Sequence, residues 1–279
     1  MKNIYFKSIL IPFLLFSINI VWSQVGIGSS SPKGALDIGA TNAGLVYPIV
    51  ALSDVNTETI SNPNGANIVT GTLVYNSNTS SNGVNSVYPG LYFWNGTKWI
   101  PQFGKKDNKL HYQNGNLRTQ SNITGGDQSI SFDESSFNPK YSGVYKILVT
   151  VHYGGGELDN PSNPQYVNFN SEEGVFKFSF NETTTTFKLK SFSGKNNDRL
   201  FKGGSGSPQK VYTNQYNQTS VTIEETLVAE MPYPFTLTFN QETAPGFIND
   251  GNGSASAGRG YIFINDNLKC TVEFNYVGE

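Results

Sequence analysis

The chain has 279 residues, of which 14% are charged and 13% aromatic, with a net charge of −2 and a sequence pI of about 5.8. Charge so sparse and so balanced excludes the basic footprint of a nucleic-acid binder, and a single cysteine, Cys270, excludes an intramolecular disulfide. Tyr, Phe, Thr and Val among 29 Gly and 13 Pro suit sheets joined by tight turns, because aromatic and β-branched side chains fit a pleated, half-buried surface while Gly accepts positive φ.

Residues 1–23, MKNIYFKSILIPFLLFSINIVWS, place Lys2 and Lys7 ahead of the apolar runs Ile9 to Phe16 and Ile18 to Trp22. This is the layout of a secretory signal, with cleavage expected after Ser23 so that Gln24 begins the mature chain. Pro12 and Asn19 interrupt the apolar run, and a spanning helix wants about 20 apolar residues without a break. The sequence therefore predicts an exported protein, secreted or at the cell surface, with no membrane span after removal of the signal. Gly26-Ile27-Gly28 is not a phosphate loop. Its sixth place is Ser31, Pro32 follows, and no strand precedes it.

Gln24 to Gln102 read as a loop-rich β module. Short apolar pieces (Leu36 to Ile38, Leu45 to Leu52, Thr72 to Tyr75, Leu91 to Trp94) alternate with turn clusters such as Asn62-Pro63-Asn64-Gly65. Asn95-Gly96 between β-prone residues predicts a hairpin with a two-residue type I′ turn, which needs positive φ twice. Trp94 and Trp99 flank that turn, either as cross-strand packing or as a sugar-stacking platform. Residues 103–127 are polar and weakly periodic, a linker with room for one strand.

Longer strands follow over residues 128–279. Tyr145, Ile147, Val149, Val151 and Tyr153 alternate with Lys146, Thr150 and His152, the period of a half-buried antiparallel strand. The pattern returns at Phe176, Phe178 and Phe180; at Phe187 and Leu189 against Lys188 and Lys190; at Val221 and Ile223; at Phe235, Leu237 and Phe239; and at Leu268, Cys270, Val272, Phe274 and Tyr276. About eight strands joined by Gly, Asn and Pro loops argue for an all-β fold, an antiparallel β-sandwich or jelly roll preceded by the small loop-rich module.

No chemistry stands out. His111 falls in the linker and His152 on a polar strand face, and no G-x-S-x-G accompanies them. Cys270 runs in phase with Leu268 and Val272 and is expected inside, as an inert apolar group. Glu172-Glu173 and Glu224-Glu225 are consecutive, so the members of each pair point to opposite faces of a strand. Asp250-Gly251-Asn252-Gly253-Ser254 begins like a calcium loop but has Ala255 at the sixth place and Tyr261 at the twelfth, and Asp159-Asn160 marks a second oxygen-rich loop. N-x-S/T triplets occur at Asn78, Asn95, Asn122, Asn181, Asn217 and Asn252, as an Asn- and Thr-rich composition produces. No catalytic, cofactor-binding or metal-binding residue is nominated, and no cofactor is expected.

Two resemblances add to this reading. The series QVGIG, SP, ALDI, GLVYPIVAL and YPGLYFWNGTKWIP resembles the N-terminal module of secreted proteins of the Bacteroidetes, especially flavobacteria, and implies export with surface or matrix association. FNPKYSGVYKILVTVHY with the closing LKCTVEFNYVG resembles the tumour-necrosis-factor-like jelly roll, including complement-type globular heads. That likeness implies a homotrimer packed through aromatic faces and a binding role, with no ligand residue to transfer. The leading expectation is an exported, noncatalytic binding or adhesion protein that recognises a cell-surface glycan or protein. The alternative is a structural subunit of a surface appendage or matrix, and a carbohydrate-active enzyme comes third.

Overall fold

Period-two patterning becomes strand in the computed structural model, which describes residues 24–121, 127–162, 167–196, 211–253, 256–264 and 268–278. The expected signal, with Ser23 at its cleavage point, lies outside the described residues, of which Gln24 is the first. No helix among the described residues is long and apolar enough to cross a membrane. The chain divides into two compact units, residues 1–48 and residues 49–279.

The described part of the first unit holds a parallel pair, β1 (Val25–Ile27) and β2 (Leu36–Ile38), in the register Val25 to Leu36 and Ile27 to Ile38. Gly28, at φ 71°, turns the chain out of β1. Asp37 on β2 accepts hydrogen bonds from Ser29 Oγ (3.1 Å) and from the Lys33 amide (3.0 Å), which fixes the connecting loop.

The second unit opens with a four-stranded sheet in the order β3 (Ile49–Val50), β4 (Leu73–Asn76), β5 (Gly90–Trp94), β6 (Trp99–Pro101). Its inner face buries Val74, Tyr92, Trp94 and Trp99 against Leu52, Ile68 and Val87. The remaining strands are β7 (Asn108–Tyr112), β8 (Leu117–Arg118), β9 (Gln128–Ile130), β10 (Ser136–Phe137), β11 (Gly143–Gly154), β12 (Val167–Phe180), β13 (Thr183–Asn196), β14 (Val211–Leu227), β15 (Tyr233–Gln241), β16 (Tyr261–Ile262) and β17 (Thr271–Gly278). They form one 11-stranded sheet. Its spine runs β15, β12, β13, β14, β11. The outer edge of β15 pairs with β9 and β10, and the outer edge of β11 with β17 and β16.

This sheet curls until its limbs face each other across an aromatic core. Tyr153 of β11 meets Phe239 of β15 (ring centroids 4.9 Å apart), Phe274 of β17 meets Phe180 of β12 (5.4 Å), and Phe137 of β10 stacks on Phe274 (4.2 Å, planes 6° apart). The fold is thus all-β, a large curled antiparallel sheet with a small separate β module. Both layers of the expected sandwich belong to one continuous hydrogen-bonded sheet. Residues 103–127, read as a linker, contribute two strands to it: β7 pairs with β17 from Asn108 to Tyr112, and β8 pairs with β16.

Turn chemistry departs from expectation. Asn95-Gly96 does sit in a hairpin whose flanking Trp94 and Trp99 are paired, but the loop has four residues and only Gly96 has positive φ (102°). Asn95 Oδ1 accepts from the Thr97 and Lys98 amides at 2.9 and 2.8 Å, an Asx turn that closes the loop without a second left-handed residue. The two-residue turn with positive φ at both positions lies between β12 and β13, at Asn181 (47°) and Glu182 (64°). A non-Gly residue there carries a steric penalty that glycine lacks. Glu182→Gly is expected to stabilise the protein by about 0.5–1 kcal/mol, read as a higher midpoint in urea; a lower midpoint would show that the turn is not strained.

Candidate assembly surface

A four-residue strand with apolar side chains on alternate and on intervening positions cannot hide both sets against one core. In β4, Val74 and Asn76 point inward and are buried, so Leu73 and Tyr75 point outward and are exposed. Register extends this outer face across the sheet: Ile49, Tyr75 and Leu91 form one cross-strand row, and Leu73, Phe93 and Ile100 the next. Leu91, Phe93 and Ile100 are half-buried, whereas Ile49 is 69% exposed. The sheet is apolar on both sides, and among the described residues only one side is covered by a core.

The first unit repeats the situation. In its register, Val25, Leu36, Ile27 and Ile38 share one face of the β1–β2 ribbon and all four are exposed, while Gly26 and Asp37 share the other. Leu45 and Val46 follow, Val46 at 85% exposure, and no residue from 24 to 48 is buried. Parallel strands are normally covered on both faces and a two-stranded sheet is marginal in water. Eleven of the twenty exposed large apolar residues described in the chain lie between Val25 and Val84. Apolar exposure is therefore concentrated here, as it is at interfaces.

Two features hold the module rigid. Trp94 and Trp99 are almost wholly buried, their ring centroids 5.3 Å apart, and Trp99 Nε1 donates to Thr57 O at 3.0 Å. They are packing groups; burial removes the flat faces a sugar would need. Asn76, unremarked in the sequence, is fully buried at the end of β4. Its Oδ1 accepts from the Leu52 and Asn78 amides (2.9 and 3.0 Å), and its Nδ2 donates to Asn78 O and Tyr88 O (2.8 and 2.9 Å). One side chain thereby ties three loop segments to the sheet.

The residues weighed for chemistry are scattered. His152, expected on the polar face of its strand, is buried beneath Tyr216 and Phe263. Its Nε2 lies 2.7 Å from Phe263 O, an acceptor, so that nitrogen carries the proton, and burial pushes its pKa down to about 4. Cys270 is buried, as its phase required, with its Sγ 3.9 Å from His152 Nδ1; burial pushes the thiol up to about 12. His111 is buried on β7 against Phe235 and Phe274, and burial lowers its pKa. It lines a cavity of about 200 Å³ with Ser136, yet both groups lack a hydrogen-bond partner and so do not bond each other.

Glu173 points outward to Lys188 (2.6 Å) and Lys190 (3.6 Å). Its neighbour Glu172 points inward and is fully buried, accepting from Tyr153 OH at 2.8 Å and the Gly156 amide at 2.9 Å. Burial pushes its pKa up to about 7, against the opposing pull of those hydrogen bonds and of Arg118. In the stretch that begins like a calcium loop, of which Ser254 and Ala255 lie outside the described residues, the Asp250 and Gly251 carbonyls accept from Ser121 Oγ and Gln241 Nε2, and in the second oxygen-rich loop Asp159 O accepts from Asn168 Nδ2. Asn122, one of the N-x-S/T positions, lies outside the described residues.

Residues 26–117 match the family model of the phage tail like trimerisation region. The match runs from within β1 to the first residue of β8 and so contains the ribbon except Val25, the four-stranded sheet and β7. No curated protein matches the chain.

Asn76→Ala removes four hydrogen bonds and strands two amides and two carbonyls; it is expected to destabilise the protein by about 2–4 kcal/mol, and a urea midpoint within error of wild type would contradict that role. Glu172 makes a pH prediction. Its folded pKa is raised, so its contribution is complete below the ordinary value of 4.5 and is lost as pH rises through about 7. The loss amounts to about 3 kcal/mol. His152, depressed in the folded state, gives the opposite slope in wild type and variant alike. The stability difference between wild type and Glu172→Gln should therefore move in the variant's favour from pH 4.5 to 8, and parallel pH profiles would refute the assignment.

Proposed function

We propose that this protein is an exported, noncatalytic structural subunit of an appendage or matrix, assembled as a homotrimer through its N-terminal region. The observation that carries the reading is the uncovered apolar face of the β3–β6 sheet within the segment that matches a trimerisation region. Burying a large apolar side chain completely stabilises by about 1.5–3 kcal/mol, and Ile49, Leu73 and Tyr75 offer three per subunit on this face. The exposed ribbon face of Val25, Ile27, Leu36 and Ile38 supplies a second surface of the same chemistry. The likeness of residues 128–279 to tumour-necrosis-factor-like jelly rolls points the same way, since it too implies a homotrimer. Export is read from residues 1–23, whose layout is that of a secretory signal. In this reading the curled sheet is the body that the trimeric base displays, and recognition of a glycan or protein would be a property of that body's loops.

Light scattering on the chain from Gln24 onward should give three copies at micromolar concentration. Leu73→Glu combined with Ile49→Glu places two carboxylates per subunit on the face and should yield monomers with an unchanged β-type circular dichroism spectrum. A monomeric wild type, or a double variant that remains trimeric, would overturn the proposal.

A further inference from the structure

At the C-terminal end of β11 the curled sheet closes over a polar pole. Arg118 on β8 and Arg259, just ahead of β16, come together there. Arg259 Nε donates to Thr119 O at 2.6 Å and its Nη2 to Arg118 O at 3.0 Å. The Arg118 guanidinium carbon lies 3.8 Å from the centroid of the Tyr261 ring, which fixes its plane. Arg118 Nε is buried without a hydrogen-bond partner. Neither guanidinium is within ion-pair distance of a carboxylate among the described residues.

The carboxylates nearby are already engaged. Glu157 pairs with Lys195 Nζ at 2.8 Å, and Glu172 is taken up by Tyr153 OH and the Gly156 amide. Arg118, Arg259 and Lys195 thus face Glu157 and Glu172, an excess of positive charge at a site partly removed from water. Between the two arginines lies a cavity of about 120 Å³, lined by Arg118, Gly156, Glu157, Thr213, Ala257 and Arg259. At about 30 Å³ per water in the liquid, that is the room of a few waters, enough for one small anion and too little for a nucleotide.

We propose that this cavity binds a small tetrahedral oxyanion of the phosphate or sulfate kind, held between Arg118 and Arg259. A guanidinium presents a planar fork of donors matched to two oxygens of such an anion, and a shared anion turns the repulsion of adjacent arginines into attraction. The anion would also give the buried Arg118 Nε an acceptor. This site is remote in sequence from the β3–β6 face and does not rest on the trimer.

The test is thermal unfolding and calorimetric titration of the chain from Gln24 with inorganic phosphate, sulfate and acetate, against chloride at equal ionic strength. Saturable stabilisation by phosphate, sulfate or both is expected. Loss of one arginine should weaken it at least about tenfold in Arg118→Gln, while Lys146→Gln, on the exposed face of β11, should bind as wild type. Glu157→Gln removes a negative charge from the lining and should bind more tightly, which serves as the readout should Arg118→Gln fail to fold. No saturable response, a response to acetate alone, unaltered binding in Arg118→Gln, or binding in Glu157→Gln no tighter than wild type would each overturn the site.

Discussion

The β3–β6 sheet needs cover on both faces, and the described part of the chain provides a core for one. Trp94, Trp99 and Tyr92 are enclosed by Leu52, Ile68 and Val87, while Ile49, Leu73 and Tyr75 on the reverse meet solvent. A sheet wet on one side ordinarily sets polar residues there, and this one, antiparallel from β4 to β6 with β3 added in parallel, does not. The β1–β2 ribbon has the same deficit in smaller form, an apolar face of four residues with no core of its own. In the proposed trimer, folding of the N-terminal region and association draw on one and the same burial of apolar surface.

The body meets its own demand differently. Its curled sheet turns alternate residues of β11, β12, β15 and β17 onto one another, and aromatic rings fill the space between. Where the curl closes, the core gives way to polar groups. Tyr153, Glu172, Gln241 and Thr119 form a connected set, Glu172 accepting from Tyr153 and Gln241, and Thr119 donating to Gln241. The loops that complete this pole approach closely. A Cβ on Gly156 would lie 2.4 Å from the Gly258 carbonyl carbon, so the two backbones approach this closely only because Gly156 carries no side chain, and a Cβ on Gly258 would in turn strike the Ile248 backbone.

Much of this was legible in the sequence, because alternation is a local property. The inward phase of Tyr145 to Tyr153, of Phe176 to Phe180 and of Phe235 to Phe239 is what the structure buries. What escaped depends on long-range pairing. His152 has the phase of an exposed residue, yet Phe263, more than a hundred positions later, covers it. β7 is too polar to advertise itself as a strand and is one because β17 offers it a free edge. The outward-facing row of the small sheet was visible as apolar pieces, but only the register Ile49–Tyr75–Leu91 shows that they form one surface. Asn76 and Glu172 matter through partners drawn from distant loops, and no spacing rule announces them.

Cys270 has a consequence for the chemistry of any assembly. The one thiol of the chain is sealed under the sheet beside His152, its proton firmly held. It can neither reach a neighbouring subunit nor be readily oxidised. In the proposed trimer Cys270 therefore supplies no covalent link between copies, and reductants leave that assembly intact.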